Sequence, residues 1–248
     1  SEELGLDTES SYNLNSTDFN STLDSMIAAA TNMTITSEEL ITSIDDFIVN
    51  YQVGLNEMTL EEIRKLIDNF AEIGVFTVKI TGGEPFSRKD IFDILSYLDS
   101  KSINYIVFTN GTNISAGDMV KIKNLRCLLK IRVSIDGNRE TNDAIRGTGS
   151  FDKAIETVKQ FKKNSIPCEI NYTITKANYM QLEDLESELA TFGIKYKINI
   201  GMVKIAGRAK TEKEEYYFTP ENIEDAVEKI KKQLKNSEYT KPYYLLEP

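Results

Sequence analysis

The sequence contains no histidine and only two cysteines among its 248 residues. The absence of histidine excludes His-based catalytic triads, histidine general bases and histidine-ligated metal sites. Any chemistry must therefore rest on carboxylates, cations, backbone groups or a bound cofactor. The two cysteines, Cys127 and Cys168, lie in separate apolar runs, which predicts two buried free thiols and no disulfide.

Long apolar runs are also missing from the sequence. None approaches the roughly 18 residues that a membrane span requires, and the first residues lack the cationic start of a signal peptide. We therefore expect a cytoplasmic protein without a membrane partner. Without a secretion signal, the Asn-x-Ser/Thr sequences near the start are expected to reflect composition and not glycosylation.

Residues 1–52 contain no lysine or arginine but ten acidic residues, which account for the whole net charge of −10. This contrast predicts a separate module. We assign 1–13 to a loose segment and 14–52 to an acidic, mostly helical module with apolar residues at helical spacing. Its charge argues against a nucleic-acid partner and favours either simple solubility or a cationic partner.

From Met58 onward the hydrophobic pattern alternates between helix and strand. A capping-box pattern at Thr59 and Glu62 begins the first helix, and Gly74 ends it. Five strands are then predicted, each followed by a helix: 75–80, 104–108, 128–135, 168–174 and 195–200. The helices are predicted over 89–100, 116–123, 151–164, 179–192 and 220–234. This alternation indicates an α/β fold with a parallel sheet and ligand-binding loops at the carboxyl ends of the strands.

Three consecutive strands end in small polar residues. Thr81-Gly82-Gly83-Glu84-Pro85 follows the first strand, where the glycines permit close approach of a ligand and Glu84 offers an acceptor for an ammonium group. An ordinary tight turn and a phosphate loop are alternatives, although the carboxylate would repel phosphate. Thr109-Asn110-Gly111 and Ser134-Ile135-Asp136-Gly137 end the next two strands, so we expect one polar rim.

Arg146 lies ten residues after Asp136 and just before the start of a predicted helix. A guanidinium group at this edge of the sheet is suited to a ligand carboxylate, which it can bind through two parallel hydrogen bonds. The alternative is a surface ion pair.

In their order and spacing these motifs resemble the radical S-adenosylmethionine enzymes, over about residues 57–215. The resemblance includes the Arg-Gly-x-Gly-Ser-Phe sequence that begins at Arg146 and Ile205-Ala206-Gly207-Arg208-Ala209 after the last strand. It is greatest to the branch with C-terminal SPASM or twitch extensions, which modifies ribosomally made peptides. It implies a partial (βα)6 TIM-like barrel, with five βα units visible over 53–215. Residues 216–248 would form a C-terminal helix and the start of an extension.

The resemblance implies S-adenosylmethionine as a cofactor. Gly82, Gly83 and Glu84 would hold its amine, Ser134 and Arg146 its carboxylate and ribose side, and Met202 would flank the adenine. The full set of implied cofactor-binding residues lies at the strand ends: Gly82, Gly83, Glu84, Pro85, Thr109, Asn110, Ser134, Asp136, Arg146, Asn171 and Met202. Asn142 departs from the family pattern, because similar sequences often have histidine there.

The same resemblance implies a [4Fe-4S] cluster held by Cys-x3-Cys-x2-Cys, a motif that this sequence lacks. The first barrel strand, whose loop would carry the motif, is missing as well. We expect these ligands in a stretch omitted between about Gln52 and Gly54, because losing a central strand would expose backbone groups and core. The alternative is a degenerate protein that lost its first βα unit. Auxiliary clusters are expected only in an extension after Pro248.

Our first functional hypothesis is a radical S-adenosylmethionine enzyme that crosslinks or otherwise modifies a ribosomally synthesised precursor peptide. Its partners would be that peptide and an electron donor. A cationic leader would suit module 14–52, which resembles part of a precursor-recognition domain. The alternatives are a cluster-less, non-catalytic peptide-binding protein and a radical enzyme that acts on a small molecule.

Overall fold

The computed structural model describes residues 57–194, 196–202 and 217–236. From Leu60 onward these residues belong to one unit. The acidic module expected over 14–52 and the motif at 205–209 lie outside the described residues. No helix in the described part is long and apolar enough to cross a membrane.

The described strands form one parallel sheet in the order β1-β2-β3-β4-β5. The strands are β1 (Thr77–Ile80), β2 (Asn104–Thr109), β3 (Leu128–Ser134), β4 (Cys168–Ile174) and β5 (Ile198–Met202). The α-helices are α1 (Leu60–Glu72), α2 (Ile91–Ser100), α3 (Ala116–Lys123), α4 (Arg139–Arg146), α5 (Ser150–Lys163), α6 (Leu182–Thr191) and α7 (Pro220–Asn236). A short 3-10 helix, Pro85–Ser87, follows β1.

The two faces of the sheet differ in burial because successive strand side chains point to opposite sides. One face packs against helices and holds the apolar core, including Tyr105, Val107, Ile131, Val133, Ile170 and Tyr172, all of which are fully buried. Most residues on the other face are half-buried or exposed, and the exception on β4 is Glu169, which is buried. We call this second side the open face.

The predicted α/β class with five parallel strands is confirmed. Helix α3 and strand β4 have the predicted bounds, because each is a short, clearly periodic run between turn residues. Strand β5 was predicted over 195–200 but lies at Ile198–Met202. A short apolar run predicts that a strand exists, but it does not fix the residues at which the strand begins and ends.

Helix α4 was not predicted from the sequence. It is strongly polar and has no continuous apolar stripe, so the hydrophobic pattern gave no signal. Its start is fixed by Asn138, whose side chain accepts a hydrogen bond from the backbone N–H of Thr141 at 3.0 Å. Arg146, which was predicted to bind the cofactor, is the last residue of this helix.

Both cysteines are free, but only Cys168 is buried, so the expectation of two buried thiols is wrong for Cys127. Cys127 lies just before β3 and is half-buried. Desolvation raises the pKa of both thiols, since burial disfavours the thiolate. Neither cysteine is therefore a thiolate at neutral pH.

Candidate functional site

Glu84 connects the loops that follow β1 and β2 at the carboxyl edge of the sheet. Its carboxylate accepts hydrogen bonds from Thr109 Oγ1 at 2.7 Å, the Asn110 backbone N–H at 2.6 Å and the Phe86 backbone N–H at 3.1 Å. An ionised carboxylate has about four acceptor positions. Glu84 is thus fixed by three protein donors and retains capacity for one more.

Gly82 and Gly83 leave the backbone beside Glu84 open. Both are exposed, and Gly82 has a φ of 132°, a conformation that favours glycine. A Cβ atom added to Gly83 would meet no heavy atom within 4 Å. The space that a side chain would take is therefore accessible to a ligand.

Thr109, Asn110 and Pro85 lie around Glu84, and the Thr109 hydroxyl and the Asn110 side-chain oxygen already form hydrogen bonds within the protein. Thr109 is buried, and its hydroxyl accepts a hydrogen bond from Gly111 N–H at 3.0 Å as well as donating to Glu84. Asn110 Oδ1 accepts from the backbone N–H and hydroxyl of Thr112, at 2.8 and 2.7 Å. Pro85 is buried at the start of the 3-10 helix. These residues position Glu84, and their direct contact with a cofactor stays a prediction.

Asp136 and Arg146 form an ion pair at the end of β3. Asp136 is buried, and its Oδ2 accepts from Arg146 Nε at 2.7 Å and lies 2.5 Å from Arg146 Nη2. Its Oδ1 accepts from the Thr173 backbone N–H at 2.8 Å. Burial raises the pKa of Asp136, and the charge of Arg146 opposes that shift. Arg146 therefore forms an ion pair, which was the alternative interpretation of this residue. Its partner, Asp136, is buried and does not lie on the surface.

Asn178, which the sequence analysis missed, holds the other side of the Asp136 loop. It is fully buried, and its Nδ2 donates to the carbonyl oxygens of Asp136 and Thr173, both at 2.9 Å. Its Oδ1 accepts from the backbone N–H of Thr175 at 2.7 Å. The only sequence signal was an asparagine between a strand and a helix, which is typical of ordinary turns.

Asn142, on helix α4, also holds the backbone of Asp136. It is fully buried; its Oδ1 accepts from the Asp136 backbone N–H and its Nδ2 donates to Ser150 Oγ, each at 2.9 Å. Asn142, where similar sequences often have histidine, thus holds the Asp136 backbone in place. An amide can do this because it donates and accepts at once.

Ser134, Asn171 and Asn199 form a polar row across the open face. They are register partners on β3, β4 and β5, so their side chains share a face. Asn199 Nδ2 donates to Asn171 Oδ1 at 2.9 Å. Met202 ends β5 opposite Ile174, and its side chain is not among the described ones.

The rim has the groups that S-adenosylmethionine requires. The open Gly82-Gly83 backbone and the remaining acceptor capacity of Glu84 suit an ammonium group, and the half-buried Arg146 suits a carboxylate. The polar row on the open face adds hydroxyl and amide groups for a ribose. The cofactor that the sequence motifs implied therefore fits the residues present.

An iron–sulfur cluster does not fit the residues present. Cys127 and Cys168 lie at the amino ends of β3 and β4, the edge opposite the rim, and their thiol pKa values are raised. Among the described residues no group of three or more His, Cys, Asp or Glu side chains could hold a metal ion. These two thiols are therefore not the ligands of a cluster at the rim.

A parallel α/β sheet with its strands in sequence order and polar groups at its carboxyl edge is consistent with a TIM-like partial barrel, a fold class in which ligands bind at that edge. The chain belongs to the Radical SAM superfamily, whose family model matches residues 28–189, well over half of the chain. This membership confirms the resemblance inferred from the motifs.

Curated relatives match part of the chain, and two of them illustrate the range of names. Fe-coproporphyrin III synthase of Methanosarcina barkeri is 37% identical over 124 residues, which cover 50% of this chain and 31% of that protein. Mycofactocin maturase MftC of Mycolicibacterium smegmatis is 29% identical over 144 residues, covering 57% of this chain and 36% of that protein. The chain thus spans about a third of the length of each.

Solved structures show the same fold. SuiB of Streptococcus suis bound to S-adenosylmethionine has a TM-score of 0.60 at 19% identity, covering 77% of this chain and 45% of that one. The anSMEcpe enzyme with bound AdoMet has a TM-score of 0.59 at 15% identity, covering 73% of this chain and 50% of that one. These similarities confirm the expected partial-barrel architecture.

Proposed function

We propose that this chain is the S-adenosylmethionine-binding part of a radical enzyme that modifies a ribosomally synthesised precursor peptide. The observation that carries the proposal is the open Gly82-Gly83 backbone beside Glu84, whose carboxylate is held by three donors and has acceptor capacity left. In this superfamily the bound cofactor supplies a 5′-deoxyadenosyl radical for hydrogen abstraction.

Each rim residue has a binding role in this proposal. Glu84 and the neighbouring glycine backbone hold the amine of the cofactor. Arg146, oriented by Asp136, binds its carboxylate, and the polar row of Ser134 and Asn171 faces the ribose. Met202 lies on the adenine side. Because Asn142 and Asn178 fix the Asp136 backbone from two directions, the site is pre-organised before the cofactor binds.

We further propose that the cluster thiolates come from residues that are not in this sequence, as expected for the stretch near Gln52. Anaerobic reconstitution with iron and sulfide, followed by iron quantification, tests this. The protein encoded by the full gene is expected to retain iron, and the 248-residue chain is not. Iron retained by the short chain would contradict the proposal.

The peptide substrate is supported by the relative named as a mycofactocin maturase and by the acidic composition of residues 1–52. The second candidate is a small-molecule substrate, which the 37% identity to Fe-coproporphyrin III synthase favours. Co-expression with short open reading frames encoded next to the gene, followed by mass spectrometry, separates the two. A mass change in a peptide supports the first, and 5′-deoxyadenosine formation without any peptide change supports the second.

Cofactor binding can be tested without the radical reaction. Gly83→Val places a side chain in open space, so the fold should persist while the approach of the cofactor is blocked. We expect S-adenosylmethionine affinity, measured by calorimetry, to fall at least about tenfold, or about 1.4 kcal/mol.

Gly117→Ala is the matched control. Gly117 lies in helix α3, where an added Cβ would make an ordinary contact with Ser115 Oγ at 3.7 Å. Its affinity for S-adenosylmethionine should equal that of the wild type, with stability raised by about 0.5–1 kcal/mol. Equal affinities for the Gly83 variant and this control would refute the assignment of the glycine turn.

A further inference from the structure

The open face of the sheet is cationic in a chain whose net charge is −10. Strand register places on this face the charged residues Lys79, Lys130, Arg132, Glu169 and Lys197. Four of the five are cations. Of the four cations, Lys130 and Arg132 share one carboxylate, that of Glu169.

Glu169 lies at the centre of this group and organises it. Glu169 is buried, and its carboxylate accepts from Lys130 Nζ at 2.7 Å and from Arg132 Nε at 3.1 Å; Lys197 Nζ lies 4.0 Å away. Burial acts to raise the pKa of Glu169, but the hydrogen bonds from Lys130 and Arg132 outweigh it and lower the pKa. Glu169 is therefore anionic at neutral pH.

Arg132 is held on two sides. Its Nε is bound to Glu169, and its guanidinium carbon lies 5.3 Å from the centroid of the Phe108 ring, in a cation–π contact. A guanidinium has several N–H donors, and this bond to Glu169 uses only one of them. The remaining donors are presented by a side chain whose orientation is already fixed, which lowers the entropy cost of binding an anion.

The cluster lies next to the proposed cofactor site. The register pair Arg132–Glu169 is two residues before the pair Ser134–Asn171, on the same face. Two residues of a strand span about 6.6 Å. A substrate on the open face beside the cofactor therefore reaches Arg132 within one side-chain length, and Lys130 Nζ is bonded to the same Glu169 carboxylate as Arg132.

The single carboxylate of Glu169 carries one negative charge and is bonded to two cations, Lys130 and Arg132. The excess positive charge is half-buried, with side-chain exposures of 29% for Lys130 and 16% for Arg132. Partial burial strengthens electrostatic attraction relative to bulk water, and guanidinium groups pair with carboxylates through two parallel hydrogen bonds. The cluster is suited to an anionic ligand group.

We propose that Arg132 and Lys130, positioned by Glu169, bind a carboxylate of the substrate. The inference rests on the proposed function, because it places the substrate on the open face beside the cofactor, and it adds that the substrate is acidic near the reacting group. The carboxylate belongs either to an acidic residue of a peptide or to a small organic acid.

Three probes distinguish these sources: acetyl-Ala-Glu-Ala-amide, its Gln counterpart and glutarate. Binding is followed by NMR titration of the whole chain at fixed ionic strength. The Glu peptide is expected to bind at least about tenfold more tightly than the Gln peptide. Binding of glutarate without the Glu peptide also supports a carboxylate site and assigns it to a small acid. Failure of both carboxylates to bind would overturn the proposal.

Variants separate binding from a purely structural role. Arg132→Gln should weaken carboxylate binding about tenfold, and Lys130→Met provides a second test should the first variant fold poorly. Glu169→Gln keeps an acceptor oxygen that can still orient Arg132, but it removes the negative charge that competes for the cations, so carboxylate affinity should rise. If these residues only stabilise the fold, all three variants, including Glu169→Gln, should bind the carboxylate probe more weakly than the wild type. That result would refute the proposal.

Arg139→Gln is the control, since Arg139 is exposed on α4 and pairs with Asp152. Its carboxylate affinity should not change. Parallel titrations with S-adenosylmethionine make the two proposals separable. Loss of cofactor binding with intact carboxylate binding refutes the proposed function alone, and the reverse result refutes the carboxylate site alone.

Discussion

Replacement of Asn178 by alanine should be among the most destabilising single changes near the rim. The side chain is fully buried and makes three hydrogen bonds of 2.7 to 2.9 Å to backbone groups. Each such bond contributes about 1 kcal/mol, and a buried group left without its partner costs about 1–3 kcal/mol. We expect a total loss of about 3–5 kcal/mol. This is a large part of the roughly 5–15 kcal/mol that is typical of domains.

The assay is equilibrium urea unfolding followed by far-UV circular dichroism. Asn113→Ala is the control, since Asn113 is exposed and its hydrogen bonds, from Nδ2 to Ser87 Oγ at 2.6 Å and to Oδ1 from the Thr112 hydroxyl at 3.4 Å, are at the surface. That variant should lose less than about 1 kcal/mol. Asn178→Ala should also speed amide hydrogen exchange at Thr175, whose N–H loses its acceptor. A loss below about 1 kcal/mol for Asn178→Ala would refute the reasoning.

Three further predictions concern stability and reactivity. The pKa of Glu169 is lowered in the folded state, so its ionised carboxylate adds to the free energy of unfolding at pH values above its unfolded-state pKa. This stabilisation is lost as the pH falls through the folded-state pKa. The thermal unfolding temperature of the wild type should decrease below about pH 5, and this decrease should be smaller in Glu169→Gln. Gly111→Ala should lower stability by about 2 kcal/mol, because Gly111 has a φ of 72° and the new Cβ would lie 3.0 Å from Val133 Cγ1; thermal unfolding equal to wild type would contradict this. Native-state thiol titration should find Cys168 unreactive and Cys127 slower than free cysteine, since burial raises both thiol pKa values. Rapid labelling of both thiols in the native state would contradict the described burial.

The sequence was sufficient to predict most elements of the sheet. Strand β4 is a β-branched and aromatic run between turn residues, so its bounds follow from local composition alone. Helix α4 could not be found in this way, because the only apolar residues in Arg139–Arg146 are the adjacent Ala144 and Ile145, which form no helical stripe. Its place depends on the Asn138 cap and on contacts with α5, not on an apolar stripe.

The candidate site was predictable as a set of loops but not as a set of contacts. The glycine turn and Glu84 were identified because a Gly-Gly-Glu-Pro sequence after a strand is a strong local pattern. That Glu84 bonds to Thr109 and Asn110 was not predictable, since these residues are 25 and 26 positions away in sequence.

The sequence by itself determined the alternation of strands and helices, the parallel sheet and the polar residues at three strand ends, because each depends on local periodicity and turn chemistry. Only the tertiary structure decided which polar groups meet. Asn178 reaches Asp136 across 42 positions, and Glu169 meets Lys130 and Arg132 across 39 and 37. These contacts follow from the register of neighbouring parallel strands, which no local segment specifies.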